Sequence, residues 1–168
     1  MSGKTSAMNR FSATTESEAV VAAERSAIWA ALTDPVLLPK LTPLLQRIET
    51  DGDVWRWHML GIAVLGVGIS PIFTERMRFD EGRRIDYSHE PPKGVIERTG
   101  AEGWYALSDV RGGTRLAISL TLHVELPLSK VAAPAVTRVM KGTMQRTGDR
   151  FSTNLLHHLR VEGAALPA

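Results

Sequence analysis

The chain has 168 residues, 43% hydrophobic and 23% charged, which excludes wholesale disorder and allows one core that folds without staples. It has no cysteine, so disulfides, thiolate nucleophiles and cysteine metal sites are excluded. Its 20 basic residues nearly balance 18 acidic ones and are scattered, as in Arg76/Arg78, Arg83/Arg84 and Lys141/Arg146/Arg150, whereas a nucleic-acid binder concentrates positive charge on one face; no nucleic-acid partner is expected.

The opening MSGKTSAMNR is polar and small, with no apolar stretch behind it. No secretory signal is expected, and the location expected is cytoplasmic. One domain over 10–160 is expected, with 1–9 and 161–168 as flexible tails. From Phe11 to about Ala22 loose alternation predicts a first strand. In ERSAIWAALTDP, the spacing of Ala27, Ile28, Ala31 and Leu32 predicts a helix that ends at Asp34-Pro35, because the residue before proline is pushed out of the α region. VLLPKLTP is broken by proline and allows no more than a turn of helix.

Asp51-Gly52 marks a hairpin whose second strand puts Trp55, Trp57 and Met59 on one face. Further on, Phe73, Met77 and Phe79 alternate with Thr74, Arg76 and Arg78, and a turn at Glu81-Gly82 leads to Ile85, Tyr87 and His89 on one face. The strand over Arg115–Leu126 is the clearest: Leu116, Ile118, Leu120, Leu122, Val124 and Leu126 face one way, with Ser119, Thr121, His123 and Glu125 opposite. From about Ala132 to Leu159 the period becomes helical, through Val136, Met140, Thr143, Thr147, Phe151 and Leu155, and Pro134 suits its first turn. The pattern predicts an α+β domain: a strand, short helices, a run of about six strands, then one long helix.

This order, with Ile28, Trp29, Leu32, Thr33, Asp34 and Pro35 in the first helix and the Gly113-Thr114-Arg115 turn, resembles the START-related helix-grip (SRPBCC) superfamily, above all its polyketide cyclase/dehydrase-like branch. The resemblance spans about residues 10–160. It implies a curved antiparallel sheet of about seven strands wrapped around the C-terminal helix, with a cavity for an apolar ligand between them. Family members include lipid carriers and aromatase/cyclases. The chain departs from that pattern in the long apolar connector between its third and fourth strands.

That connector, residues 61–73, reads GIAVLGVGISPIF. Its 13 residues are too few for a spanning helix, which needs about 20. Gly61 and Gly66 lack the Lys-Ser/Thr of a phosphate loop. It reads as core, or else as residues that rim a pocket entrance or make transient membrane contact.

Parity sets Glu75 beside Phe73 and Met77 on the inward face, where a carboxylate is costly unless paired or protonated. Glu75 could bond a ligand hydroxyl or move a proton, or turn away at a bulge. His89 has a suitable pKa for a base, or merely ends a strand at the surface. His123 is expected in solvent, and His157-His158 point apart, so no metal site and no cofactor are expected. Trp57, Phe73, Met77, Leu120 and Met140 are candidate apolar wall. Tyr87, Tyr105, Thr143 and Thr147 are candidate polar groups, with Tyr105 rather than Trp104 inward by the resemblance. The function expected is binding of a small hydrophobic molecule, as carrier or sensor; the alternatives are a cyclase/aromatase or dehydratase with Glu75 or His89 moving protons, and a protein-interaction module using 61–73. Oligomeric state is left open.

Overall fold

The computed structural model describes residues 7–161 and 163–165. In chain order its elements are β1 (Asn9–Val21), α1 (Arg25–Leu32), α2 (Leu38–Leu41), β2 (Leu45–Asp51), β3 (Val54–Met59), β4 (Ile62–Val64), β5 (Val67–Ile69), β6 (Ile72–Asp80), β7 (Arg84–His89), β8 (Thr99–Val110), β9 (Gly113–Leu126), a 3-10 turn at Lys130–Ala132, α3 (Ala133–Leu159) and β10 (Gly163–Ala165).

Strict alternation makes β9 the spine of the sheet, paired along its length with β1 on one side and β8 on the other. The antiparallel order is β10-β1-β9-β8-β7-β6-β3-β2: seven long strands with the short β10 added at one edge. Residues 163–165, expected as part of a tail, therefore pair with Ala19–Val21. Residues 1–6, 162 and 166–168 lie outside the described residues.

The apolar stripe of α3 lies against the concave face of this sheet. Its 27 residues reach about 40 Å, long enough to meet both ends of the fold. Near the N-terminal half of α3, Val136, Met140 and Met144 pack with Phe11, Val124 and Leu126. Near the C-terminal half, Phe151 and Leu155 join a second cluster that includes Ile28, Leu32, Leu41, Trp55 and Ile85. Between these anchors the helix face is made of Thr143, Thr147 and Gly148, too small to reach the sheet.

Two short elements hold the second cluster in place. α1 buries Ile28, Ala31 and Leu32, and stops where the Asp34 carboxylate accepts hydrogen bonds from the backbone of Val36 and Leu37 at 2.9 and 3.1 Å. The Thr114 hydroxyl, fully buried, donates to the Ala23 carbonyl at 2.8 Å and ties the start of β9 to the approach to α1.

The apolar connector is neither a simple hairpin nor plain core. β4 and β5 form a separate two-stranded flap between β3 and β6, and its inner residue Val64 is buried among Phe11, Leu126, Val136, Met140 and Met144. Its tip, Leu65-Gly66, turns with both φ angles positive, at 48° and 82°. No described helix is long and apolar enough to cross a membrane.

Candidate functional site

A cavity of about 710 Å³ lies between the sheet, α3 and the flap. It exists because the middle of the helix is small while both its ends are large. Ile62, Val64 and Ile69 of the flap close one side, and Leu38, Thr42 and Leu45 approach from the α2 end. Inward positions on the strands supply Trp57, Phe73, Glu75, Tyr87, Tyr105 and Leu120; α3 supplies Met140, Thr143 and Thr147. Met77 does not line the cavity: although it shares parity with Glu75, it is buried in the cluster around Ile28 and Ile85. Trp104 faces outward, where the Arg84 guanidinium covers its ring at 4.7 Å from the centroid.

Glu75 is the one acidic side chain buried in this wall, at 2% exposure. Parity alone puts it there, between Phe73 and Met77, opposite Trp55 on β3 and His89 on β7. Among the described residues it has no ion pair and no side-chain hydrogen bond of good geometry. Burial therefore pushes its carboxyl well above the usual carboxylate range, opposed only in part by the nearby Trp57 indole N–H. The Trp57 Nε1 is itself buried without a partner of proper geometry. The pair is thus a carboxyl biased toward its protonated form beside an unmet donor.

Two tyrosines complete this polar island. The Tyr87 hydroxyl donates to the Ser119 carbonyl at 3.0 Å, crossing Gly103, whose added Cβ would stand 2.7 Å from the Tyr87 oxygen. The Tyr105 ring lies beside Tyr87, at 5.7 Å between centroids, and its hydroxyl has no protein partner among the described residues. Tyr105 lines the cavity, and its phenol is pushed up by burial and then by Glu75. Neither tyrosine is a base at neutral pH. Both are neutral hydrogen-bonding groups.

His89 does not reach this island, and it does not end at the surface. β7 and β8 part company beyond Tyr87–Gly103, while β6–β7 pairing continues to Glu75–His89 and β8–β9 pairing to Thr99–Val124. The loop between β7 and β8 fills the resulting seam with Glu97. The Glu97 carboxylate accepts hydrogen bonds from the Thr74 amide and hydroxyl, both at 2.7 Å, and lies 3.0 Å from His89 Nε2. His89 Nδ1 lies 3.1 Å from His123 Nε2. His123, expected in solvent, is 7% exposed, because the His89 ring in the seam packs against it on the outer face where parity puts it. It also touches the cavity wall. No group of three metal-ligating side chains suited to an ion occurs among the described residues.

The family model described as polyketide cyclase / dehydrase and lipid transport matches residues 12–155. No curated protein sequence matches. Among solved structures the chain is similar to the Zhui aromatase/cyclase of a Streptomyces species, with 17% identity, a TM-score of 0.60, and 92% of this chain and 94% of that one covered. It is also similar to the di-domain ARO/CYC StfQ of the steffimycin biosynthetic pathway, with 12% identity, a TM-score of 0.62, and 89% and 51% covered. A Rhodobacter sphaeroides protein gives 21% identity, a TM-score of 0.58, and 88% and 91% covered. Such identities speak for the fold and not for a ligand or a reaction. With the family model covering all but the ends of the chain, the protein belongs to the polyketide cyclase/dehydrase and lipid transport family.

Proposed function

We propose that this protein binds a small hydrophobic molecule bearing at least one hydrogen-bonding oxygen, held in the cavity under the β4–β5 flap. The observation that carries the reading is the unmet polar island in an apolar wall: the Glu75 carboxyl, the Trp57 N–H and the Tyr105 hydroxyl all lack proper protein partners. Buried polar groups cost stability unless they are bonded, so a site that keeps three of them open is suited to a ligand that completes them. The volume of about 710 Å³ falls within the range of small-molecule sites. Apolar contact supplies most of the affinity, at roughly 25 cal/mol per Å² buried, and the island fixes orientation. A carbonyl oxygen would accept from Trp57 and from protonated Glu75.

The same buried carboxyl, its pKa raised by burial, favours a second reading, a cyclase or dehydratase in which Glu75 delivers a proton to a ligand oxygen. One experiment separates the two. Wild type and Glu75→Gln are titrated with a panel of fatty acids and polycyclic phenols, followed by tryptophan fluorescence. Carrier function requires saturable binding that Glu75→Gln weakens. An enzyme would bind its substrate in both forms and lose turnover in Glu75→Gln. Absence of saturable binding across the panel would overturn the proposal.

A further inference from the structure

Exposed apolar side chains are not spread evenly over this molecule. Of the nine large ones among the described residues, seven stand at one end of the sheet, and only Val36 and Phe79 lie elsewhere. Strand pairing defines that end: β1 and β8 start there and β9 finishes there, with Asn9 opposite Leu126 and Thr99 opposite Val124. β3 and β7 also finish there and β6 begins, so the flap, the β7–β8 loop and the turn before α3 all emerge from it. Met8 leads into this end. Leu60, Leu65 and Ile72 belong to the flap and its roots, Val95 and Ile96 to the loop, and Val131 to the turn.

Three of them sit on braced connections. Leu65 is at the flap tip with φ 48°, a conformation that favours asparagine or glycine. Ile96, 81% exposed, adjoins Glu97, whose buried carboxylate is held by the Thr74 amide and hydroxyl at 2.7 Å. Val131, 88% exposed, donates its amide to the Ser129 hydroxyl at 3.3 Å, and Asn9 Nδ2 donates to the Leu128 carbonyl at 2.8 Å just before it. Bracing of this kind fixes aliphatic side chains in solvent, and apolar groups gathered so mark a contact surface.

The charge around them has one sign. Residues 59–74 carry none, and residues 126–148 carry Lys130, Arg138, Lys141 and Arg146 with no acid. Lys93 adds a cation in the β7–β8 loop. The acids at this end are already engaged: Glu90 with Arg76 at 2.7 Å, Glu125 with Arg98 at 3.4 Å, and Glu97 with Thr74 and His89. Among the described residues Lys93, Lys130, Arg138 and Lys141 have no ion pair.

We infer that this end of the molecule docks on an anionic lipid bilayer, with Leu65, Ile96 and Val131 entering the boundary between headgroups and acyl chains and the cations meeting lipid phosphates. Aliphatic tips on three separate connections, among unpaired cations, suit a fluid surface that is apolar within and anionic without. A folded protein partner is instead met by a packed centre rich in aromatic anchors, and the exposed side chains at this end include none.

Docking bears on the cavity, and this part rests on the binding reading above. Val64, next to Leu65, is buried against Val136 and Met140, and Ile62 and Ile69 close the cavity wall. Lifting the flap in water exposes all three, whereas lifting it at a bilayer leaves them in apolar surroundings. The flap thus opens toward lipid, and a hydrophobic molecule enters or leaves there.

The lack of cysteine allows single labels. Leu65→Cys, Ile96→Cys, Val131→Cys and the control Val36→Cys each carry the polarity-sensitive dye NBD. They are mixed with vesicles of phosphatidylcholine, alone or with about one-third phosphatidylglycerol. With the anionic vesicles, brighter and blue-shifted emission is expected from the first three labels and no change from the control. Flotation of unlabelled protein is expected to show about tenfold stronger partitioning into anionic than neutral vesicles, lost when Lys130→Glu and Arg138→Glu are combined. Absence of partitioning, or a control label that responds like the others, would overturn the docking. So would partitioning with no response at the three tips, which is charge attraction alone. A response that follows self-association of the chain without vesicles would give the surface to a second copy and overturn it too. Vesicle binding needs no cavity ligand: its failure leaves the binding reading standing, and a cavity that takes no ligand leaves the docking standing.

Discussion

Glu75 and His89 face each other in register across β6 and β7, yet they belong to separate networks. Glu75 remains unpaired in the cavity wall, whereas His89 is engaged at both ring nitrogens by Glu97 and His123. The parting of β7 from β8 causes this separation: it opens a seam that takes the histidine and leaves the carboxyl inside. A carboxyl without a partner and a histidine bonded at both ring nitrogens thus stand on neighbouring strands without meeting.

The unpaired carboxyl gives folding stability a pH dependence of defined sign. Burial raises the Glu75 pKa well above its ordinary value of 4.5, so the folded protein keeps a proton that the unfolded chain releases. Its favourable contribution is full below the unfolded pKa and is lost as pH rises toward the folded pKa. In that window wild type is expected to lose up to about 1.4 kcal/mol per pH unit relative to Glu75→Gln. Urea unfolding of both proteins across pH checks this, and a difference that does not change with pH would contradict the assignment.

Gly100→Ala reverses the usual effect of removing a glycine. Where space and backbone permit, such a change stabilises by about 0.4–1 kcal/mol. Here the new methyl meets two imidazoles at 2.4–2.5 Å, and a loss of about 1–3 kcal/mol is expected in denaturant unfolding.

The flap offers a pair of opposite expectations. Val64→Ala removes a side chain that is 3% exposed and ties the flap to α3, at a cost of about 1.5–3 kcal/mol and with faster ligand release. Leu65 sits at the tip, 48% exposed and at φ 48°, a backbone position that asparagine adopts more easily than leucine. Leu65→Asn is expected to gain up to about 1 kcal/mol. Thermal melts and stopped-flow release of a fluorescent ligand check both. If Leu65→Asn or Leu65→Asp abolishes capture of a protein partner while ligand binding is intact, the segment serves as a contact surface rather than a flap.

Period-based features of the fold were legible in the residues. Alternation through Leu116–Leu126 marks β9, threes and fours from Val136 to Leu155 mark α3, and parity alone brings Glu75 inside. Parity also led astray where tertiary cover intervenes. His123 does lie on the outer face, but the His89 ring, held by Glu97, packs over it, and loops have no period from which Glu97 could be placed. Met77 shares parity with Glu75 yet falls past the end of the cavity, because strand alternation tells the face and not the depth. The available signal for the histidine pair was Gly100, a glycine inside a strand, which marks close approach of another group. The flap could be read only as an apolar interruption, since Leu65-Gly66 carries one glycine where a hairpin turn of this kind usually shows Asn-Gly.

The central claim is that the cavity holds a hydrophobic molecule oriented by Glu75, Trp57 and Tyr105. Native mass spectrometry of the protein from cells producing it, followed by extraction and identification of any bound compound, tests it most directly. The account requires one hydrophobic, oxygen-bearing compound at near one-to-one occupancy, with occupancy reduced in Glu75→Gln. An apo mass that stays unchanged after incubation with a panel of lipids and polycyclic phenols would contradict it.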